Sequence, residues 1–149
     1  MMKTRKILIS LILILLPFKV YGLIEVDITR GNLNPLPIAV SALYSDDETT
    51  KALKKDIKVE QIGYEISLII ENNLKATGLF NPLEKKAFLQ KPDVAHLKPR
   101  FEDWSLIKAQ ALITGKVEFK DDKVRVEFRL WDVLAAREML ALAFTTVPN

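Results

Sequence analysis

Three carboxylates in the C-terminal part of the chain are the side chains whose type and spacing come nearest to catalytic chemistry. Glu118, Glu127 and Asp132 fall on or beside predicted strands, and a pair of acids can hydrolyse a glycosidic bond. In the predicted register, however, Glu118 and Glu127 project away from the apolar face and have Arg125 and Arg129 as neighbours. We therefore predict ion-paired surface acids and a strand end at Asp132, with no catalytic residue.

Other catalytic signatures require residues that the chain lacks. It has one histidine, His96, in a proline-flanked segment, and no cysteine, which excludes Cys–His catalysis and zinc sites of the usual His/Cys type. The five glycines form no phosphate-binding or dinucleotide-binding motif. The acidic run Asp46–Glu48 is interpreted as a solvated loop or a helix start. We predict neither a metal nor a cofactor.

Two tryptophans have the chemistry of a binding surface, because tryptophan is enriched at the centres of protein interfaces. Trp104 follows Phe101 by three residues in a predicted short helix, which favours a position in the core. Trp131 lies opposite the apolar register of its strand. For Trp131, a core position and a surface position both remain open.

The first 22 residues have the composition of an export signal. Three basic residues within positions 3–6 precede a run, 7–16, that is apolar apart from Ser10. The run ends at Pro17, whereas a membrane-spanning helix needs about 20 apolar residues. We predict cleavage near Gly22 and no stable membrane insertion; an uncleaved anchor is the alternative.

The charge of the remaining residues argues against a nucleic-acid partner. The net charge of the chain is +3, and residues 1–22 contain four basic residues and no acid, so the remainder carries −1. Without cysteine, an exported domain of about 127 residues must be stabilised by its core rather than by disulfides. We predict one domain over residues 23–149.

A short alternating pattern follows the predicted cleavage site. Ile24, Val26 and Ile28 would form one face of an extended strand, with Glu25 and Asp27 on the other. A turn-rich spacer comes next. Such a strand can pair with its own sheet or with the edge of another protein's sheet. The pattern alone leaves both an ordinary first strand and a docking strand open.

The rest of the chain predicts an α+β fold. Residues 37–43 have the pattern of a buried strand, and apolar positions every three or four residues predict a long helix from Asp56 to Thr77–Gly78. A short helix is predicted at 101–107. We expect a mixed sheet with one face covered by the long helix and the short one. Its C-terminal β-meander is predicted within residues 109–119, 124–130 and 140–144.

Taken in order, these segments resemble the N-terminal domain of the TolB family, the periplasmic component of the Tol-Pal envelope system. The resemblance covers almost all of residues 23–149, and it depends on the order and spacing of several motifs rather than on one diagnostic motif. The motifs that carry it are Ile24–Ile28, Pro37–Val40, Ile62–Gly63, Asn73–Leu83, Trp104, Ala109–Val117 and Phe128–Val133.

The resemblance implies a non-enzymatic module for protein interaction in the periplasm. In that family the mature N-terminal strand docks to the periplasmic domain of TolA, and the system serves outer-membrane integrity, constriction during cell division and protein import. Carried over by position, the docking residues are Ile24, Glu25, Val26, Asp27 and Ile28.

The resemblance also predicts what would be absent. Similar proteins continue beyond the position of Asn149 into a helix and a β-propeller that contacts the lipoprotein Pal, so contact with Pal is not expected here. Part of the sheet is expected to be uncovered, which favours association or instability. Two alternatives remain open: a small exported hydrolase that uses Glu127 and Asp132, and a truncated remnant without function.

Overall fold

Strands and helices lie along residues 34–45, 49 and 59–147, which are the residues that this computed structural model describes. The predicted export signal and the predicted docking strand lie outside them. The strands are β1 (Leu36–Val40), β2 (Tyr44–Ser45), β3 (Phe80–Pro82), β4 (Ala111–Lys120), β5 (Lys123–Asp132) and β6 (Arg137–Thr146). The helices are α1 (Val59–Ala76), α2 (Pro92–Ala95) and α3 (Phe101–Leu106), with a 3₁₀ turn at Lys85–Ala87.

The strands form one mixed sheet in the order β3-β1-β4-β5-β6. β1 is parallel to both β3 and β4, whereas β4, β5 and β6 are antiparallel. β2 pairs with β4 beyond the end of β1, opposite Lys116 and Val117. The predicted α+β class and the C-terminal meander are therefore confirmed.

Helix α1 ends where its sequence predicts. The last helical residue is Ala76, and Gly78 has a φ of +73°, in the left-handed region where glycine carries no steric cost. The Thr77 hydroxyl donates to the Leu74 carbonyl oxygen at 2.6 Å and accepts from the Leu79 amide at 3.1 Å. These bonds fix the turn from α1 into β3. The predicted helix start at Asp56 lies outside the described residues.

The long helix and the short helices lie on opposite faces of the sheet. Leu112 and Ile113 are neighbours in β4, so their side chains project to opposite faces. Leu112 belongs to the core cluster that contains Trp104 of α3. Ile113 instead lines a groove with Ile70 of α1. The central strands are thus covered on both sides, where the sequence predicted two helices on a single face.

The meander is less covered than the centre of the sheet. β6 lies at the edge of the strand order, and all ten of its residues are exposed. The pairing of β5 with β6 contains one bulge, because Leu130 faces Leu140 and Trp131 faces Glu138. Met139 is the extra residue on β6. The fold therefore presents one long strand with a free outer edge within its described residues.

Candidate functional site

The residues predicted to dock to another protein precede the described part of the chain. The described chain starts at Asn34 and Pro35, both exposed, immediately before β1. The backbone amide of Leu36 is then held by the Leu79 carbonyl oxygen at 2.8 Å. The docking prediction consequently remains a prediction for Ile24, Glu25, Val26, Asp27 and Ile28.

Glu118 and Glu127 are ion-paired, as their register predicted. Glu118 contacts the ammonium group of Lys116, and Glu127 accepts from Arg125 at 3.0 Å. The guanidinium of Arg129 pairs with Glu138 of β6 at 2.9 Å instead. These partners form a charged surface on the meander, and partly exposed pairs of this kind usually contribute little to stability.

Asp132 lies at the end of β5, as predicted, but it is buried rather than open to a substrate. Its side chain is 1% exposed, and Oδ1 accepts a hydrogen bond from the Ala135 amide at 2.9 Å in the turn to β6. Asp132 lies five positions beyond Glu127 along an extended strand, a distance of about 17 Å. The structure therefore does not bring these two carboxylates together.

His96 follows the short helix α2 and contributes to packing. Its ring stacks on that of Tyr44, with centroids 4.3 Å apart. Nδ1 lies 3.0 Å from the carbonyl oxygen of Pro92, and a carbonyl oxygen can only accept, so this bond requires a proton on Nδ1. His96 thus connects α2 to β2.

Both tryptophans belong to the core. Trp104 is 1% exposed and meets Phe88 edge to face, with centroids 5.1 Å apart. Trp131, for which the sequence left two positions open, is 8% exposed. Its Nε1 donates to the hydroxyl of Thr114 at 2.9 Å, and its ring lies 5.8 Å from that of Phe101. Neither residue is available as a surface anchor.

A hydrogen-bonded cluster joins α3 to the segment before α2. The amide of Gln90 donates from Nε2 to the Arg100 carbonyl oxygen at 2.7 Å and to Asp103 Oδ2 at 3.0 Å. Arg100 donates to the same carboxylate oxygen through Nε and Nη2, at 2.9 and 2.7 Å. The bonds from Arg100, followed by the bond from Gln90, lower the pKa of Asp103 below its ordinary value. This cluster orients α3 against the core.

An apolar surface on the α1 side of the meander is the described feature best suited to contact another protein. We call it the meander face; it comprises Phe128, Leu130, Leu140, Leu142 and Phe144. Four of these residues, all but Phe144, line an open groove of about 270 Å³ with Ile70 and Ile113. Leu142 is 47% exposed and Phe144 is 59% exposed. Among the described residues, this part of the sheet is exposed.

Sequence reasoning identified the strand pattern of Leu140, Leu142 and Phe144, but it did not show how far the covering helix extends over their shared face. Alternation shows that three residues share a face, and it does not show whether a helix covers that face. The one available signal was the ten-residue length of β6, because a single helix covers only part of a sheet with strands that long. α1 contacts β1, β2 and β3 and reaches β4 only where Ile70 lines the groove beside Ile113, so the outer strand β6 lies beyond it.

Neither a cluster of metal-binding side chains nor a membrane-spanning helix is present within the described residues. No group of three His, Asp or Glu side chains in this part of the chain could hold a metal ion. No helix among the same residues is long and apolar enough to cross a membrane.

Comparison with known sequences gives a family match over most of the chain. Residues 24–139 match the family described as the TolB amino-terminal domain. A protein of Pelagibacter ubique named Tol-Pal system protein TolB is 67% identical over 139 residues, which are 93% of this chain and 31% of that protein. The chain therefore spans about a third of the length of this relative.

Solved structures extend the comparison to the fold alone, since their sequence identities are low. The crystal structure of TolB from Acinetobacter baumannii superposes with a TM-score of 0.53 at 19% identity, over 76% of this chain and 23% of that one. The C-terminal domain of LpoB from Salmonella enterica gives a TM-score of 0.53 at 10% identity, over 79% and 87% of the two chains.

Proposed function

The chain belongs to the TolB amino-terminal domain family, and we propose that it is a non-enzymatic interaction module of the Tol-Pal system that docks to the periplasmic domain of TolA. The observation that carries the proposal is the 67% identity to a Tol-Pal TolB over 93% of the chain. The family match begins at residue 24. The proposed docking residues, Ile24–Ile28, therefore lie inside the match.

The physical basis of docking is strand addition. Backbone groups of residues 24–28 would pair with the edge of a TolA sheet and provide most of the attachment. Ile24, Val26 and Ile28 would project to one side and fill apolar sites, while Glu25 and Asp27 remain on the other side. The turn-rich spacer predicted before β1 would separate this strand from the folded domain.

The proposed location is the periplasm, reached through the export signal in residues 1–22 with cleavage near Gly22. From there the module would serve outer-membrane integrity, constriction during division and protein import. Contact with Pal is not part of the proposal for this domain. A hydrolase mechanism is not proposed either, because Glu127 and Asp132 lie about 17 Å apart along β5.

Calorimetric titration of the chain with the periplasmic domain of TolA tests the proposal. Deletion of residues 23–30 should abolish binding while the circular dichroism spectrum of the domain persists. A matched pair of substitutions separates the two faces of the strand. Val26→Asn should weaken binding by about tenfold or more, since an apolar side chain leaves its site. Asp27→Asn, on the opposite face, should change affinity by less than about threefold.

Two results would contradict the docking assignment. One is undiminished affinity after deletion of residues 23–30, which would place the contact elsewhere on the domain. The other is absence of binding by a chain that is folded, which would remove TolA as the partner of this module.

A further inference from the structure

A polar cavity lies on the face of the sheet that carries α2 and α3. It is bounded by the end of α2 and by strands β4 and β5, has a volume of about 240 Å³, and includes no residue of β6. Four charged side chains and two residues that follow α2 line it. These residues are Lys116, Glu118, Glu127, Arg129, His96 and Leu97.

Strand register brings the four charged side chains together. Lys116 of β4 lies directly opposite Glu127 of β5, and Glu118 and Arg129 are each two residues further along their own strand. Residues two apart on a strand project to the same face, so all four belong to one surface. Their two positive and two negative charges sum to zero.

His96 is positioned beside these charges by its contact with β2. Tyr44 of β2 is the register partner of Lys116, and the rings of Tyr44 and His96 stack with centroids 4.3 Å apart. The Nδ1 proton of His96 is directed to the Pro92 carbonyl oxygen at 3.0 Å. In this tautomer Nε2 is a hydrogen-bond acceptor.

Arg129 and Glu127 are held in place and still have polar atoms for a ligand. Nη1 of Arg129 donates to Glu138 at 2.9 Å, whereas its Nε and Nη2 have no acceptor among the described residues. Oε1 of Glu127 accepts from Arg125 at 3.0 Å, and Oε2 has no donor there. The two side chains are 40% and 31% exposed, so a ligand can reach them. Groups that are already oriented lose less entropy when a ligand binds.

We propose that this cavity binds a small zwitterionic ligand of about the size of a dipeptide. The ligand carboxylate accepts two parallel hydrogen bonds from Nε and Nη2 of Arg129, a geometry that a guanidinium group provides. The ligand ammonium group donates to Oε2 of Glu127 and Nε2 of His96. Because the charges of the cavity sum to zero, a ligand with one charge of each sign complements it better than an anion or a cation does.

The dimensions of the cavity agree with a ligand of two residues. Arg129 and Glu127 are two positions apart on an extended strand, which separates them by about 7 Å, and two extended peptide residues also span about 7 Å. A volume of about 240 Å³ equals that of about eight water molecules, which suits a dipeptide with small side chains. Leu97, which is 72% exposed, offers such a side chain an apolar contact.

Titration with alanyl-alanine provides the first test. The purified chain, expressed with its export signal, is followed by its amide resonances in NMR spectra. The amide resonances of Leu97, Gly115 and Lys116 should shift, with a dissociation constant of about 1 mM. Acetylation of the dipeptide removes its ammonium group and amidation removes its carboxylate, and each change should weaken binding by about tenfold or more. These comparisons use the unaltered chain, so they do not depend on the folding of a variant.

Two substitutions test which side chain binds which end of the ligand. Arg129→Gln should weaken binding of alanyl-alanine by about tenfold and reduce the difference between the dipeptide and its amide to less than about twofold. Glu127→Gln should instead remove the difference between the dipeptide and its acetylated form. Lys123→Gln removes a charge from an exposed position of β5 outside the cavity and should change all three affinities by less than about twofold.

Several outcomes would overturn the proposal. One is the absence of shifts at these amides with about 20 mM alanyl-alanine, and another is equal binding of the dipeptide, its amide and its acetylated form. Stronger binding of glucose, an uncharged ligand of similar size, would assign the cavity to a sugar. Persistence of both differences in Arg129→Gln and Glu127→Gln would exclude these side chains as the partners of the ligand. None of these results bears on the docking strand, which contributes no residue to the cavity.

Discussion

The backbone amide of Leu43 donates a 3.1 Å hydrogen bond to the carbonyl oxygen of Gly63, so α1 meets the chain between β1 and β2 directly through the backbone. A Cβ atom on residue 63 would lie 2.1 Å from the Leu43 carbonyl oxygen. On the other side of Leu43, a Cβ atom on residue 115 would lie 3.0 Å from its Cγ. Two glycines thus allow α1 to approach the sheet closely on either side of one leucine.

The contact between Gly63 and Leu43 predicts that Gly63→Ala destabilises the fold. The added methyl group has no space, because the atom that it meets belongs to the backbone. The free energy of unfolding should fall by about 1–3 kcal/mol, the usual range for overpacking. Urea denaturation measures the change. Asn72→Ala, at an exposed position of α1, is the control and should change stability by less than about 0.5 kcal/mol.

The buried hydrogen bond from Trp131 to Thr114 predicts energetic coupling between the two side chains. Thr114→Val leaves the Trp131 Nε1 proton without an acceptor, at a cost of about 1–3 kcal/mol. Trp131→Phe removes the donor but opens space in the core. In a double-mutant cycle the two changes should be non-additive by about 0.5 kcal/mol or more. Strict additivity would show that the bond contributes nothing to the folded state.

The contacts of the Lys85 ammonium group predict that substitution of Lys85 lowers stability more than substitution of the neighbouring Lys86. It donates to the Val40 carbonyl oxygen at 3.0 Å and pairs with Glu71, and both charged side chains are largely buried, at 22% and 17% exposure. Lys85→Met should destabilise the fold by about 1–3 kcal/mol, since it leaves the Glu71 carboxylate without its partner. Lys86→Met removes the exposed pair with Glu84 and should cost less than about 0.5 kcal/mol. Thermal unfolding of the two variants and of the unaltered chain measures the loss of stability at each position.

The lowered pKa of Asp103 predicts a loss of stability in acid. A carboxyl group whose pKa is lower in the folded state stabilises that state at every pH above its unfolded pKa, whose ordinary value is 3.8. This contribution disappears as the pH falls from about 4 through the folded pKa. Asp103→Asn should therefore be less stable than the unaltered chain at pH 6, and the difference should narrow towards pH 2.5.

Urea denaturation at a series of pH values measures this dependence. Glu102→Gln, at the exposed neighbouring position in α3, is the control and should leave the acid dependence of stability unchanged. A constant difference between Asp103→Asn and the unaltered chain from pH 6 to pH 2.5 would mean that the Arg100 and Gln90 bonds do not favour the ionised carboxylate.

Local sequence patterns predicted the strands and the long helix wherever interactions between residues close in sequence determine the structure. The end of α1 follows from Gly78, and the meander follows from alternation through residues 124–130. β2 was missed, because Tyr44–Ser45 is strand only through its pairing with β4. Periodicity also did not show that α3 lies opposite α1, since the choice of face depends on tertiary packing.

The candidate sites also divide into features that local sequence patterns predict and features that depend on tertiary packing. The burial of Trp131 was undetermined from the sequence because alternation places it opposite the meander face, and only the arrival of α3 covers that side. Strand register predicted that Glu118 and Glu127 are ion-paired acids, but it did not predict Lys116 as the partner of Glu118. The exposure of Phe144 depends on how far α1 extends across the sheet, and no local sequence pattern determines that distance.

The position of β1 also has a mechanical consequence. β1 lies between β3 and β4 and runs parallel to both, and the proposed docking strand connects to its N-terminal end. Tension applied through residues 24–28 along the axis of β1 would load the hydrogen bonds on both of its sides in shear. Bonds loaded in shear share the force and must break together, whereas bonds that are peeled apart break in sequence. If residues 24–28 dock as proposed, the parallel pairing of β1 on both sides would resist a pull from the N-terminal segment.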